Sequence, residues 1–167
     1  MGNNVYLGLG SNKGDRLNYL VRAVELISQD ENCRLVISSS VYETKPYGNI
    51  DQDNFYNAVI LIETKRDFET LYYFLKNVEK KIGRRNSEIL WAPREIDVDI
   101  LFYNNLIYNS DILTVPHKDI LNRDFVLVPL IEIAGDFVHP FLNKKLNELD
   151  LGSIEKHIIQ KLSYRLI

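Results

Sequence analysis

Between Glu95 and Ile100 the chain alternates strictly, with Ile96, Val98 and Ile100 apolar and Glu95, Asp97 and Asp99 acidic. A period of two marks a strand with one buried face and one open face. The acidic face is the stronger constraint. Asp97 and Asp99 stand two residues apart on it, roughly 6.5–7 Å at the backbone. Their side chains can converge on one divalent ion, or on a pair about 3.5–4 Å apart. Spacing alone leaves a solvated sheet face open as an explanation, because acidic alternation is common on half-exposed strands. Like charges in a row repel, however, and a cation would relieve them.

The neighbouring residues favour the cation. From Lys76 to Arg94 the sequence places Lys76, Lys80, Lys81, Arg84, Arg85 and Arg94 against only Glu79 and Glu88. A basic segment leading into an acidic strand suits a metal–polyphosphate ligand, with the carboxylates on magnesium and the guanidinium groups on phosphate oxygens.

The 167 residues fit one domain, 1–167, with a sizeable core. A net charge of −3 argues against a nucleic-acid binder, so the positive charge is local, as a small anionic substrate requires. Cys33 is the only cysteine, which excludes a disulfide framework and a thiolate zinc site. No apolar run reaches a membrane span, and the N-terminus shows no signal-peptide pattern. Tyr6 stands where a myristoylation signal needs Ser or Thr. A cytoplasmic protein is expected.

Along the chain, residues 5–9 read as a short buried strand ending in a turn at 10–14. Asp15 caps a helix over 16–28 with Leu17, Leu20, Val21, Val24 and Ile27 inward. A strand over 34–42, a long loop over 43–53 and a strand over 55–63 follow. Asp67 starts a helix to Ile82, Gly83 stops it, and a second loop covers 84–93. The acidic strand runs over 95–103, Asn104 and Asn105 turn a hairpin into 106–108, and 125–133 is helical although it contains Pro129. Leu151, Ile154, Ile158, Ile159 and Leu162 suggest a C-terminal packing helix.

The order β-α-β-β-α-β predicts an α+β fold with a ferredoxin-like core: a four-stranded antiparallel sheet with both helices on one face, an added β-hairpin and a C-terminal helix. Gly8-Leu9-Gly10 begins like a dinucleotide fingerprint but lacks its third glycine, and the element order is not a parallel βαβ series. A tight strand-to-helix turn explains it better.

Five pieces then combine: Gly8-Leu9-Gly10-Ser11-Asn12, Ser40-Val41-Tyr42-Glu43-Thr44, Phe55-Tyr56-Asn57, the run from Trp91 through Pro93, Arg94 and Asp97 to Asp99, and Val115-Pro116-His117 continuing to Asn122-Arg123-Asp124-Phe125. In these residues and their order the chain resembles the 6-hydroxymethyl-7,8-dihydropterin pyrophosphokinases over roughly residues 5–141, with the tail from about Asn143 outside. The resemblance implies transfer of the β,γ-diphosphate of ATP to a pterin alcohol, with release of AMP, in folate synthesis. It places two magnesium ions on Asp97 and Asp99, one bridging the α- and β-phosphates and the other the β- and γ-phosphates. Such a reaction rests on positioning and charge neutralisation rather than on a strong base.

By the same resemblance, Arg84 and Arg94 are catalytic-loop arginines and Trp91 is a lid residue that helps seal the site when the loop 84–93 closes. Glu79, Ile100, His117 and Arg123, with Arg84, Trp91 and Arg94, fall at ATP-contacting positions. Phe55 and Phe125 match the pterin-stacking positions, and Asn57 matches the amide that pairs with the pterin edge. Thr44, Pro46 and Tyr47 lie in the loop that completes that pocket, and Asp97 reaches it too. The implied partners are ATP and the pterin, bound by a monomer. Two departures stand out: Asn86 occupies a place that is basic in much of the family, and Lys76 replaces an uncharged residue.

An Asp-x-Asp pair also serves nucleotide-sugar transferases, but these need a larger nucleotide-binding domain than this length and strand order supply. A non-catalytic RNA-binding sheet would have its phosphates repelled by the acids.

Overall fold

The computed structural model describes residues 2–48, 51–85 and 92–167. Strand β1 (Asn3–Ser11) lies inside a six-stranded sheet, between β4 (Phe55–Thr64) and β5 (Asp97–Tyr103). Two strands share the far side of β4: β2 (Cys33–Ser38) pairs with its C-terminal half and β3 (Ser40–Thr44) with its first residues. An edge strand, β8 (Ile158–Arg165), adds to β3. Every ladder is antiparallel. A separate two-residue ladder joins β6 (Tyr108–Asn109) to β7 (Thr114–Val115).

Alternation sorts β1 and β5 between two cores. Val5, Leu7, Leu9, Val98 and Ile100 face α1 (Arg16–Ser28) and α2 (Phe68–Ile82), meeting Leu20, Ile27, Leu71 and Leu75. Each such fully buried aliphatic side chain contributes roughly 1.5–3 kcal/mol. On the other face Tyr6, Leu101 and Phe102 pack against Leu127 and Leu130 of α3 (Asp124–Ala134). The first two helices have the predicted caps: the Asn18 N–H donates to Asp15 Oδ1 at 3.2 Å, and the Thr70 N–H to Asp67 Oδ1 at 2.9 Å. Gly83 ends α2 at φ 111°, the left-handed conformation glycine adopts without a Cβ clash.

Four expectations change. The strand expected over 34–42 breaks at Ser39, whose N–H donates to the Val59 carbonyl at 2.8 Å while its Oγ accepts from the Val59 N–H at 2.9 Å. One serine thus replaces a ladder step, and β2 and β3 part there. Gly8 lies in β1 as expected, but the strand runs on through Gly10 to Ser11, so the turn narrows to the residues before the helix, with Gly14 at φ 65°. Asn104 does turn the chain, with φ 46°, but the segment beyond it pairs with β7 and not back onto β5.

The largest correction concerns the tail. Ile158, Leu162 and Leu166 are the positions turned inward, a spacing of four that imitates a helix. The segment is β8, whose pairing with β3 shifts register twice, between Ser40 and Tyr42 and between Glu43 and Thr44. Bulges insert extra residues and break the two-residue period that would have marked a strand.

Candidate active site

A cleft opens on the α3 side of the sheet, floored by Gly8, Gly10, Asp97, Asp99 and Leu101 and walled by Thr44, Tyr47, Phe55, Asn57, Arg94, His117, Arg123 and Phe125. The pleat explains this floor. With Val98 and Ile100 drawn into the helix-side core, Asp97 and Asp99 must point the opposite way. Gly10 is needed for a close approach: a Cβ there would lie 2.8 Å from Asn57 Oδ1.

At the acidic end Asp97 receives two guanidinium groups, Arg84 Nη1 on Oδ1 at 2.5 Å and Arg94 Nη1 on Oδ2 at 2.8 Å. Burial opposes charge on Asp97, but these two arginines outweigh it and hold the carboxyl below its ordinary range. Asp99 has no hydrogen-bond partner among the described residues. Burial, reinforced by the neighbouring Asp97 charge, pushes its carboxyl above the ordinary range. The strand therefore carries one carboxylate satisfied by arginine and one that lines the cleft with no partner among the described residues.

Glu79 stands one layer behind. It is 3% exposed and accepts from the Val98 N–H at 2.7 Å, Lys76 Nζ at 2.9 Å and Arg84 Nη1 at 2.7 Å. A buried carboxylate with three donors locks α2 to β5 and aims Arg84. Lys76, the unusual cation of the sequence, is its counter-charge. Burial would lower the Lys76 pKa, but Glu79, Asp99 and Asp97 together raise it.

Arg94 is placed by its backbone: its N–H donates to Asn12 Oδ1 at 2.9 Å and its carbonyl accepts from the Asn12 N–H at 3.2 Å. The Asn12 amide in turn donates to Gln52 Oε1 at 2.9 Å, so the end of β1 clamps two loops. The His117 Nδ1 accepts from the Asp119 N–H at 3.2 Å, which leaves the neutral ring's proton on Nε2. Arg123 pairs with Asp119 at 2.9 Å and lies 4.8 Å over the Tyr47 ring. Arg94 and Arg123 each keep a buried Nε with no partner among the described residues, which is unusual for a buried donor.

At the aromatic end, Asn57 donates from Nδ2 to Thr44 Oγ1 at 2.8 Å, which orients its carboxamide beside Gly10, its partner on β1.

The expected residues thus converge with few exceptions. Ile100 turns its side chain into the helix-side core, so only its backbone faces the cleft side. Glu79 and Arg84 support the wall from behind Asp97 without lining the cleft, and Pro46 is likewise not among the lining residues, where Lys45 stands instead. Trp91, most of the loop 84–93 and the departure at Asn86 lie outside the described residues. Sequence reasoning gave no role to Gly8, Gly10, Asn12 or Gln52. Asn12 was visible as part of a motif, but its partner is distant in sequence.

A family model, 7,8-dihydro-6-hydroxymethylpterin-pyrophosphokinase (HPPK), matches residues 6–135. The chain belongs to the HPPK family. It is 42% identical over 144 residues to the 2-amino-4-hydroxy-6-hydroxymethyldihydropteridine pyrophosphokinase of Aquifex aeolicus, covering 86% of this chain and 88% of that one. The enzyme of the same name from Haemophilus influenzae is 44% identical over 135 residues, covering 81% and 84%. The folic acid synthesis protein fol1 of Pneumocystis carinii is 43% identical over 136 residues, but those are 81% of this chain and only 18% of that protein. Among solved structures, an HPPK-DHPS in complex with substrates superposes with a TM-score of 0.69 at 14% identity, over 88% of this chain and 42% of the other. A Plasmodium falciparum HPPK-DHPS gives 0.71 at 16%, over 89% and 43%. These structural likenesses establish the mixed α/β fold with its antiparallel sheet. This HPPK chain spans less than half of both HPPK-DHPS chains.

Proposed function

We propose that this HPPK transfers the β,γ-diphosphate of ATP to the hydroxymethyl oxygen of 6-hydroxymethyl-7,8-dihydropterin and releases AMP. One observation carries the reading. A single cleft holds, at one end, Asp99, unpaired among the described residues, beside an arginine-held Asp97 and, at the other, an amide with aromatic walls.

The acidic end fits magnesium. Magnesium is usually held by one or two carboxylates together with substrate phosphates and water, and Asp97 and Asp99 are such a pair. When bound there, two magnesium ions would neutralise polyphosphate charge and hold the phosphate oxygens in register. Arg84 and Arg94 meanwhile occupy Asp97 as cations in waiting. Their planar donors suit phosphate oxygens equally well, and the unfilled Nε of Arg94 adds a donor. His117 Nε2 and Arg123 supply further donors to the nucleotide.

At the other end Phe55 and Phe125 offer ring faces and Asn57 offers donor and acceptor to the pterin edge. The pterin hydroxyl then gives up its proton to solvent as its oxygen bonds to the β-phosphorus, and the bond from that phosphorus to the bridging oxygen breaks, its electron pair leaving with AMP. What the chain supplies is alignment and positive charge.

We further assign the core to the ferredoxin-like arrangement, supported by the strand order β5-β1-β4-β2 with α1 and α2 against one face. The protein is read as a cytoplasmic monomer. No described helix is long and apolar enough to cross a membrane. Product analysis tests the function. Incubation with ATP and magnesium should yield AMP only when the pterin alcohol is present, and formation of ADP or of free phosphate instead would refute diphosphate transfer.

A further inference from the structure

The imidazole of His157 braces two aromatic walls of the cleft from behind. Its ring centroid is 5.4 Å from that of Tyr47 and 5.6 Å from that of Phe125, with interplanar angles of 37° and 80°. The residue is 5% exposed. Its main chain is tied on both sides: the N–H donates to Asp124 Oδ2 at 2.9 Å, and the carbonyl accepts from the Lys45 N–H at 2.8 Å. The ring Nδ1 lies 3.2 Å from the Glu155 carbonyl and 3.5 Å from Asp124 Oδ1. Both are acceptors, so Nδ1 carries the proton.

Asp124 directly precedes Phe125, and Lys45 stands two residues before Tyr47. Residue 157 therefore fixes the backbones from which both rings spring, and also touches the rings themselves. Its own position lies beyond the segment matched by the family model, which ends at residue 135. A buried carboxylate costs free energy unless its oxygens are satisfied. Asp124 Oδ2 accepts from the N–H groups of His157 and Ile158, whereas Oδ1 has no hydrogen-bond partner among the described residues and lies 3.5 Å from the imidazole Nδ1. Simple attachment of β8 needs none of this, since Glu132 already holds Ser40, Tyr42 and Arg165 together.

We propose that His157, held through its main-chain N–H by Asp124, is a positioning residue whose flat ring sets the separation and tilt of Tyr47 and Phe125 and thereby the affinity for the pterin ring. This rests on the reading of the cleft's aromatic end as the pterin pocket. Steady-state kinetics and fluorescence titration with 6-hydroxymethylpterin test it on the full chain. His157→Ala should raise the pterin KM and Kd about tenfold, the scale of one lost aromatic contact. The kcat should stay within about twofold, because the acidic end is untouched, and the ATP KM should rise less than the pterin KM, because Arg123, which lies over the Tyr47 ring, is also held by Asp119. His157→Phe keeps a flat ring and should restore pterin affinity to within about twofold of the parent. Should His157→Ala not fold, His157→Leu, which keeps volume without a flat ring, stands in under the same expectations.

Unchanged pterin affinity in folded His157→Ala or His157→Leu overturns the proposal. So does a matching rise in both KM values, or a Phe variant as weak as the Ala or Leu variant. A parent protein that neither binds pterin nor releases AMP would overturn the pocket assignment first, and this inference with it.

Discussion

Asp97 and Asp99 are chemically identical and two positions apart, yet their surroundings push them in opposite directions. Arg84 and Arg94 hold Asp97 ionised, whereas burial and its neighbour's charge oppose ionisation of Asp99. An uncompensated, partly buried carboxylate is a cost to folding that a bound cation would repay. Asp99→Asn should therefore lower kcat by about three orders of magnitude, the scale of losing a principal electrostatic group at a reacting centre. In the absence of ligands the same variant should unfold at higher urea, by about 1 kcal/mol. Paired kinetics and urea melts check both signs, and a variant with full activity removes Asp99 from the site. Arg94→Ala should bind pterin normally but turn over about 10²–10³-fold more slowly. A selective loss of pterin affinity would instead move Arg94 to the other end of the cleft. The alternation, the basic run and the motifs made these residues legible in sequence. Glu79 was legible only as a charge, because its role depends on the Val98 N–H and Arg84 reaching it from other segments.

The helices α1 and α2 were readable because their signals are local: an aspartate cap at each start, an apolar stripe and, for α2, a terminal glycine. Gly83→Ala tests one of them. With φ at 111°, an alanine there should cost about 1 kcal/mol or more in a urea melt, despite open space around it. The tail was misread for an equally physical reason, since bulges in β8 replace the strand period with a spacing of four. In the segment after α3, His139 gives local structure a response to pH. Its Nδ1 accepts from the Phe141 N–H at 3.2 Å and the Leu142 N–H at 3.3 Å, and burial holds its pKa below the ordinary imidazole value. As pH falls through the usual histidine range, about 6.5, the unfolded chain takes up the proton first. Stability is then lost progressively until the folded-state pKa is passed. His139→Asn keeps an acceptor for those N–H groups without titrating, so its urea midpoint should fall less between pH 7.5 and 5 than the parent's. Equal slopes would exclude His139 as a source of acid sensitivity.

For the whole molecule, the cleft exists because β1, β4 and β5 bring Gly10, Asn57 and Asp97 side by side from distant parts of the chain. Removal of divalent ions by chelation should abolish AMP release, and added magnesium should restore it. Activity that survives full chelation would refute the magnesium reading of Asp97 and Asp99. The sequence by itself determined the parts whose causes are local: the two capped helices, the strand that must turn Asp97 and Asp99 away from the core, and the motif set that marks the family. Only the tertiary structure decided the rest. It split a strand at Ser39, added the bulged β8 to the sheet edge, and placed the His157 ring behind Tyr47 and Phe125. Those outcomes depend on partners 20 or more residues away, as Ser39 with Val59 and Asp124 with His157 show. Propensity and periodicity describe a residue's near neighbours along the chain and carry no record of such distant ones.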